Sequence, residues 1–307
     1  MANANKGAAF LDSQTAKRPL LVSPRELRDP VEALWEAGLP PGDRTGWPSL
    51  DKLYTVVPGQ LTVITGWPNS GKSEWLDALL VNLARQGWKV VVFSPENHPL
   101  EVHASKLIEK LSGLPFGKGM NERIGKGEVC ERLDDLGESF MFMKAREGII
   151  SAHAVMEAAE PWLMDQDGKR GLVIDPWNEL EHWRPQGLSE TEYVSQVLSE
   201  VRQWARTRNI HVWIVAHPQK MRREEGKLPV PKPDMISGSQ HWWNKADCCV
   251  TVWRDPEALT QDVEVHVLKV RFKHVGRQGV VTLKWDRITG RYHEADPVWV
   301  GASMRVA

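Results

Sequence analysis

Residues 61–73 read LTVITGWPNSGKS and carry the strongest structural signal in the chain. Their first five residues are apolar or β-branched and predict a buried strand, while the spacing over 74–86 predicts a helix. Between the two, Gly66 to Ser73 satisfy the pattern G-x-x-x-x-G-K-[ST]. In that setting the glycines let backbone N–H groups surround phosphate oxygens, and the positive end of the helix points at them. The pattern predicts a site for a nucleoside triphosphate.

Two residues of this loop carry specific chemistry. Lys72 is expected to reach the β and γ phosphates, and Ser73 is expected to ligate Mg²⁺. The other candidates for nucleotide binding in the loop are Gly66, Asn69, Ser70 and Gly71. A chance glycine-rich turn is the alternative, which the flanking strand and helix disfavour. The expected ligands are therefore ATP and Mg²⁺.

Outside the loop, short β-rich segments alternate with helical spacing, a pattern typical of parallel strands joined by right-handed crossovers. The predicted strands cover residues 61–65, 89–94, 140–144, 172–175, 212–216 and 249–253. A further helix is predicted over 192–206, and strands over 262–273 and 279–285 are predicted to form a closing antiparallel pair. The sequence thus predicts an α/β fold with a mostly parallel central sheet and a C-terminal antiparallel pair.

Two carboxylates end predicted strands, where they can meet the phosphate loop at one edge of the sheet. Asp175 ends the apolar run GLVID and is expected to orient Mg²⁺ through water, with an ordinary strand-end cap as the alternative. Glu96 follows VVVFSP and could polarise the attacking water as a general base. The pattern alone leaves Glu96 equally open to being a solvated residue.

Composition limits the classes of protein that this sequence can represent. The 307 residues hold 39 Lys and Arg against 40 Asp and Glu, a net charge of −1, which excludes a globally basic nucleic-acid binder. Charges interrupt every apolar stretch well before the roughly 18 residues that a membrane span needs. The three cysteines match neither a disulfide framework nor a zinc site, so no structural metal is expected. With no secretory signal visible, we expect a soluble cytoplasmic protein.

The ends of the chain are predicted to lie outside the main domain. Residues 1–22 are expected to form a flexible tail, 23–57 a linker helix and entry segment, 58–296 the main domain, and 297–307 a C-terminal tail. In the linker, Ser23, Pro24 and Glu26 form a capping-box pattern, and Pro30 is expected to interrupt the helix. The apolar face of Val31, Leu34 and Trp35 is open to two interpretations, packing on its own domain or docking on a neighbouring subunit.

Seven motifs in order carry a family resemblance over about residues 42–293: TGWPSLDKLY, GWPNSGKS, SPEN, LVIDPWNE, VAHPQKM, ISGSQHWWNKAD and KVRFKHVGRQG. The sequence resembles the RecA-type motor domain of hexameric DnaB-like helicases, particularly the helicase half of phage primase–helicases and mitochondrial Twinkle. The resemblance implies a RecA-like P-loop NTPase core in which Glu96 is the catalytic base. It also implies that His217 senses the γ phosphate and couples it to DNA.

The resemblance implies further site residues near the C-terminal end. Lys269 and Arg271 match a pair that reaches the ATP site of the adjacent subunit, and a planar, permanently charged guanidinium suits that task. An exposed strand with basic outer positions is the alternative, but 268–293 holds seven Lys or Arg against one Asp. Arg254 and Trp285 match an arginine and an aromatic that sandwich the nucleotide base, with core packing as the alternative for Trp285.

Two loops are expected to face a central channel and hold the DNA backbone without reading bases. The first is 183–190, and the second runs from about 220 to 245 with five Lys or Arg against two Glu in 220–232. The candidate DNA-binding residues are Lys220, Arg222, Arg223, Ser237, Gly238, Ser239, His241 and Lys245. A solvated loop is the alternative. Trp242 and Trp243 are both expected to be buried.

These features predict an ATP-driven translocase on single-stranded DNA that unwinds duplex DNA as a homo-hexameric ring. The family implies movement from five prime to three prime and a replicative role in a bacterial or phage-infected cell. Because the sequence shows no primase module or helical collar, we expect a separate primase, with a loader as a further candidate partner. The alternatives are a RecA-like DNA-dependent ATPase that acts in recombination or loading without unwinding, and a nucleotide-gated interaction protein.

Overall fold

The computed structural model describes residues 21–144, 150–182, 184–219, 229–237, 240–255 and 260–295. The chain divides into two compact units, residues 1–40 and residues 41–307. The described helices include none that is long and apolar enough to cross a membrane.

The first unit contains a 3₁₀ turn, Pro24–Leu27, followed by helix α1, Arg28–Ala37. Ser23 and Glu26 form the predicted capping box, in which the Ser23 backbone N–H donates to the Glu26 carboxylate at 3.0 Å. The expected interruption at Pro30 is wrong, because this residue lies in the first turn of α1, where a missing N–H breaks no helical bond. Trp35 is 84% exposed, and none of the described residues of this unit is buried.

The second unit is built on one nine-stranded sheet in the order β3-β2-β4-β5-β1-β6-β7-β8-β9. In this spatial order, the first six strands, from β3 to β6, pair in parallel. The last three, β7, β8 and β9, add antiparallel pairs. Their bounds are Leu61–Thr65 (β1), Trp88–Phe93 (β2), Phe140–Phe142 (β3), Lys169–Ile174 (β4), Ile210–Val215 (β5), Cys248–Trp253 (β6), Asp262–Val270 (β7), Gly279–Trp285 (β8) and Tyr292–Glu294 (β9). This architecture confirms the predicted fold class.

Helices cover the sheet and join its parallel strands. They are Pro48–Asp51 (α2), Lys72–Ala84 (α3), Leu100–Ser112 (α4), Lys126–Ser139 (α5), Ala152–Asp165 (α6), Glu190–Arg208 (α7) and His241–Lys245 (α8). Alternate residues of a strand enter two hydrophobic cores, one on each face of the sheet: Ile64 of β1 packs in one and Val63 in the other. Burial on both faces explains why these strands read as continuous apolar runs.

Several strands differ from their predicted bounds, and β4 begins at Lys169, three residues before its prediction. The strand predicted over 140–144 spans only Phe140–Phe142, and the one predicted over 262–273 ends at Val270 because a turn follows. The short edge strand Tyr292–Glu294 was not predicted. Trp242 is fully buried as expected, but Trp243 is only half-buried.

Candidate functional site

The phosphate loop folds tightly between β1 and α3. A Cβ at Gly66 would lie 2.2 Å from the carbonyl oxygen of Val252, so only glycine fits there. Gly71 has a φ of +88° and forms the N-cap of α3, a backbone conformation that glycine adopts without strain. The Lys72 ammonium is buried and donates to the Trp67 carbonyl at 2.9 Å. Burial lowers the pKa of Lys72 to about 8, although the charges of Asp175 and Glu96 oppose the shift.

Asp175 lies directly after β4 and meets the loop at the same edge of the sheet. It is only 4% exposed, and this burial raises its pKa to about 6, against the hydrogen bond from the Ser73 hydroxyl. Its Oδ1 is buried and has no hydrogen-bond partner among the described residues. A buried carboxylate oxygen with no donor, next to a serine hydroxyl, fits a hard cation with oxygen ligands such as Mg²⁺. The residues present therefore suit the metal that the sequence implies.

Glu96 and His217 come together from the ends of β2 and β5. His217 Nε2 lies 3.9 Å from Glu96 Oε1, and the Glu96 side chain is 51% exposed, open to solvent as a water-activating group must be. The His217 backbone N–H donates to Asn178 Oδ1 at 3.0 Å. Burial and the nearby Lys72 charge lower the pKa of His217. The neutral imidazole is therefore the dominant form at neutral pH.

Arg254 and Trp285 also lie at the carboxyl edge, after β6 and at the end of β8. The Arg254 guanidinium carbon is 5.2 Å from the centre of the Trp285 ring, so the two side chains stack on each other. Trp285 is half-buried, and part of it packs against the core. The structure brings the predicted pair together, but as one stacked platform with no gap between the two groups for a base.

Lys269 and Arg271 lie at the opposite edge of the sheet. β7 runs antiparallel to β6, which brings Lys269 opposite Cys249, near the start of β6. The Arg271 Nε donates to the buried Asp247 at 2.7 Å. Both cations also bind carbonyl oxygens at the end of α8: Lys269 those of Trp243 and Asn244, and Arg271 those of Asn244 and Ala246. This pair therefore cannot contact a nucleotide in the loop of its own chain.

A model of the DnaB-like helicase C terminal domain family matches residues 42–294. The chain belongs to this family. It is 40% identical over 309 residues to the protein named Twinkle homolog protein, chloroplastic/mitochondrial, of Arabidopsis thaliana, in an alignment that covers 97% of this chain and 43% of the relative. The chain thus spans less than half of that relative.

Solved structures share the fold of this DnaB-like domain. The ATPase domain of G40P matches with a TM-score of 0.74 and 18% identity, over 89% of this chain and 99% of that one. A DnaB-like replicative helicase, described with its interactions with primase, matches with a TM-score of 0.71 and 18% identity, over 90% of this chain and 68% of that one. The RadB recombinase matches with a TM-score of 0.50 and 17% identity, over 82% of this chain and 99% of that one.

The predicted DNA-binding residues of the DnaB-like domain are described only in part. His241 and Lys245 are half-buried on α8, and the Ser237 hydroxyl donates to Glu190 Oε1 at 2.5 Å. Lys220, Arg222, Arg223, Gly238 and Ser239 lie outside the described residues. The DNA contacts of both loops stay predictions.

Sequence reasoning missed two residues that organise this DnaB-like site. Asp247 gathers Arg271 and two arginines of α7 at the amino edge of the sheet. Asn178 connects the segment after β4 to the backbone of His217. A charged residue directly before a largely buried strand was the available signal for Asp247, whereas the partners of Asn178 depend on tertiary structure.

Proposed function

We propose that this chain is the ATP-hydrolysing motor of a DNA helicase that moves along single-stranded DNA and unwinds the duplex ahead of it. The observation that carries the proposal is the carboxyl edge of the sheet. Four adjacent strands end there, and each is followed by one functional side chain. These are the buried Lys72, the buried Asp175 with its unpaired oxygen, the exposed Glu96, and His217 beside it. Membership of the DnaB-like helicase family supports the proposal that this edge binds ATP and that hydrolysis drives movement on DNA.

The side chains of this edge divide the chemistry of hydrolysis between them. Phosphate oxygens favour the charged form of Lys72, so ATP binding opposes the effect of burial on its pKa. Glu96 would accept a proton from the attacking water, and His217, 3.9 Å away, would respond to the terminal phosphate. When bound, Mg²⁺ would be held by Ser73 and, through water, by Asp175, and would neutralise charge on the β and γ phosphates.

The second half of the catalytic machinery is proposed to come from another copy of the chain. Six residues of β6 separate the two edges of the sheet, a distance of about 17 Å at roughly 3.3 Å per residue. No arginine or lysine side chain spans that distance, so Lys269 and Arg271 would serve the site of a neighbouring subunit. When each subunit supplies these residues to the next identical subunit, the contacts run head to tail. Such contacts form a ring if the rotation between successive subunits closes, and the family resemblance implies a homo-hexamer.

Finer details extend this proposal. The resemblance implies movement from five prime to three prime and a replicative role of phage or prophage type, and we include a primase and a loader among the proposed partners. The setting in a bacterial or phage-infected cell stays a prediction. On the base side, Arg254 and Trp285 would present a stacking surface to the adenine rather than enclose it.

Two substitutions and one substrate test the proposal. Glu96→Gln should preserve ATP binding and lower turnover by about a hundredfold or more, whereas Lys72→Ala should abolish nucleotide-dependent assembly. Glu101→Gln, an exposed carboxylate on α4, is the matched control and should change neither. ATP binding, DNA-stimulated phosphate release and strand displacement on a forked duplex are measured on each protein.

The outcomes separate the candidate functions. Strand displacement that is lost in Glu96→Gln supports a helicase. ATP hydrolysis on DNA without displacement supports a RecA-like ATPase that acts in recombination or loading. Multiple-turnover phosphate release excludes a nucleotide-gated interaction protein, and a Glu96→Gln variant that hydrolyses ATP at the wild-type rate removes Glu96 from the mechanism.

A further inference from the structure

A cavity of about 300 Å³ lies beside the proposed DNA-facing loops, between the segment after β4 and the residues before α8. Its lining includes three aromatic side chains, Trp177, His182 and Tyr193, and three polar ones, Asn178, Arg184 and Glu190. The volume is at the lower end of the range for small-molecule sites, so it suits one compact planar group rather than an extended ligand.

The aromatic side chains of the cavity form a stack that packs against the hydrophobic core. The rings of Trp177 and His182 stack with centroids 4.9 Å apart and planes 27° apart, and Tyr193 meets His182 edge-on at 6.0 Å. Trp177 is itself buried and packs edge-on against Trp242 at 5.1 Å. His182 is exposed on this rigid base. The His182 ring therefore offers a flat surface, and packing against the core fixes its position.

The polar side chains of the cavity disfavour phosphate as the ligand. Arg184 and Glu190 contribute opposite charges, and the Ser237 hydroxyl holds Glu190 with a 2.5 Å hydrogen bond. A carboxylate repels a phosphate group, whereas an amide, a guanidinium and a carboxylate together offer the donors and acceptors that match the edge of a nucleobase. Aromatic faces with such polar groups are the usual surroundings of an unstacked base.

We propose that this cavity binds one unstacked base of the single-stranded DNA. The inference rests on the proposed function and deepens it, because it adds a base contact to loops expected to hold only the backbone. Stacking tolerates any base, so the site adds affinity with little sequence preference.

The cavity is also connected to the ATP site through one residue. Asn178 lines the cavity, and its Oδ1 accepts the His217 backbone N–H, while the His217 ring lies 3.9 Å from Glu96. Two residues, Asn178 and His217, therefore separate a base in the cavity from Glu96. Asn178 is a positioning residue in this arrangement, and bases should stimulate ATP hydrolysis beyond what the backbone alone achieves.

The test compares oligo-dT with an abasic oligonucleotide of the same length, measured by fluorescence anisotropy with a non-hydrolysable ATP analogue. The wild-type chain should bind oligo-dT about fivefold or more tightly than the abasic strand, the low end of what a stacking aromatic contributes. His182→Ala should remove that difference by weakening oligo-dT binding alone. His182→Phe, which keeps a flat ring, should retain it, and His293→Ala, at an exposed histidine on β9, should change neither strand.

A second readout follows hydrolysis. Asn178→Ala should reduce the ratio of ATPase stimulation by oligo-dT to stimulation by the abasic strand, each expressed relative to the variant's own rate without DNA. Melting temperatures of all variants are measured in parallel, so that a folding defect is distinguished from a lost contact.

Three results would overturn the inference. Equal binding of both strands by the wild-type chain leaves no base contact to explain. Equal weakening of both strands by His182→Ala assigns His182 to the backbone. Loss of ring assembly in His182→Ala, with the base-dependent difference intact, assigns the cavity to a neighbouring subunit. In each case strand displacement by the wild-type chain would still support the proposed helicase function, so the two proposals fail separately.

Discussion

The substitution Asp247→Asn tests the ion cluster that holds the proposed trans-acting arginine. The Asp247 side chain is fully buried, and its Oδ1 lies 3.3 Å from Arg202, 3.2 Å from Arg206 and 2.7 Å from Arg271 Nε. Its Oδ2 accepts the Leu61 backbone N–H at 3.1 Å. One carboxylate thereby connects α7, the start of β1 and the end of β7. Asparagine keeps the volume and a carbonyl oxygen but removes the charge that the three guanidinium groups share.

The three ion pairs do not contribute equally. The Arg206 side chain is 47% exposed, so solvent screening limits its contact to no more than about 1 kcal/mol. Arg202 and Arg271 are 19% and 30% exposed and carry most of the interaction. Removing one partner of a buried pair costs about 3–5 kcal/mol, and the exposure of the arginines favours the lower value. A loss of about 3 kcal/mol lowers the melting temperature of a domain this large by roughly 6–12 °C.

The measurement is denaturant and thermal unfolding of Asp247→Asn beside Asp167→Asn, an exposed carboxylate in the turn before β4 that should unfold like wild type. ATPase activity should also fall, because Arg271 Nε loses its charged partner and is held less firmly. A variant that unfolds within about 0.5 kcal/mol of wild type would refute the reasoning, since surface substitutions fall in that range. Normal stability with impaired ATPase would instead restrict Asp247 to orienting Arg271.

Three further predictions follow from the same structure. Arg271→Ala mixed with Lys72→Ala should recover ATPase activity that neither variant shows alone, because one chain keeps the phosphate site and the other supplies the arginine; no recovery despite co-assembly would contradict delivery in trans. Trp285→Ala should raise the KM for ATP about tenfold with little change in kcat, because the stacked Arg254 loses its support and uniform binding is removed; unchanged KM with a lower melting temperature would make Trp285 a packing residue. Burial lowers the pKa of His211 to about 4, so the unfolded chain binds more protons below pH 6.5, and stability should fall by about 3 kcal/mol between pH 6.5 and 4; His211→Gln should flatten that slope, and an unchanged slope would assign it to other groups.

The carboxyl edge could be predicted from the sequence because each of its residues directly follows a strand. Glu96, Asp175 and His217 come after apolar runs, and parallel strands bring their carboxyl ends to one edge. The phosphate loop adds a pattern that is local in sequence, so no tertiary contact is needed to recognise it. Strand and helix bounds differ from prediction by up to a few residues, because pairing with neighbours decides where an element ends.

The parts that escaped prediction depend on contacts between distant residues. Asp247 is 41 residues from Arg206 and 24 from Arg271, and its sequence context shows none of these partners. Spacing did not single out α6, because Pro161 lies inside that helix, where it usually signals an end. The cavity beside Asn178 involves α7 and two separate loops, an arrangement that only the folded chain contains.

The contacts of Lys269 and Arg271 constrain how a ring of these chains could move. The two side chains supply hydrogen bonds to three carbonyl oxygens at the end of α8, those of Trp243, Asn244 and Ala246. The contacts to the Trp243 and Ala246 carbonyls are partly buried, and a buried carbonyl without a donor costs about 1–3 kcal/mol, whereas the Asn244 contacts are exposed to solvent. Any movement that draws the pair toward a neighbouring nucleotide must therefore either carry α8 with it or leave those groups unpaired. Since α8 holds His241 and Lys245, the proposed DNA loop would follow the nucleotide state of the neighbouring subunit, in addition to that of its own site.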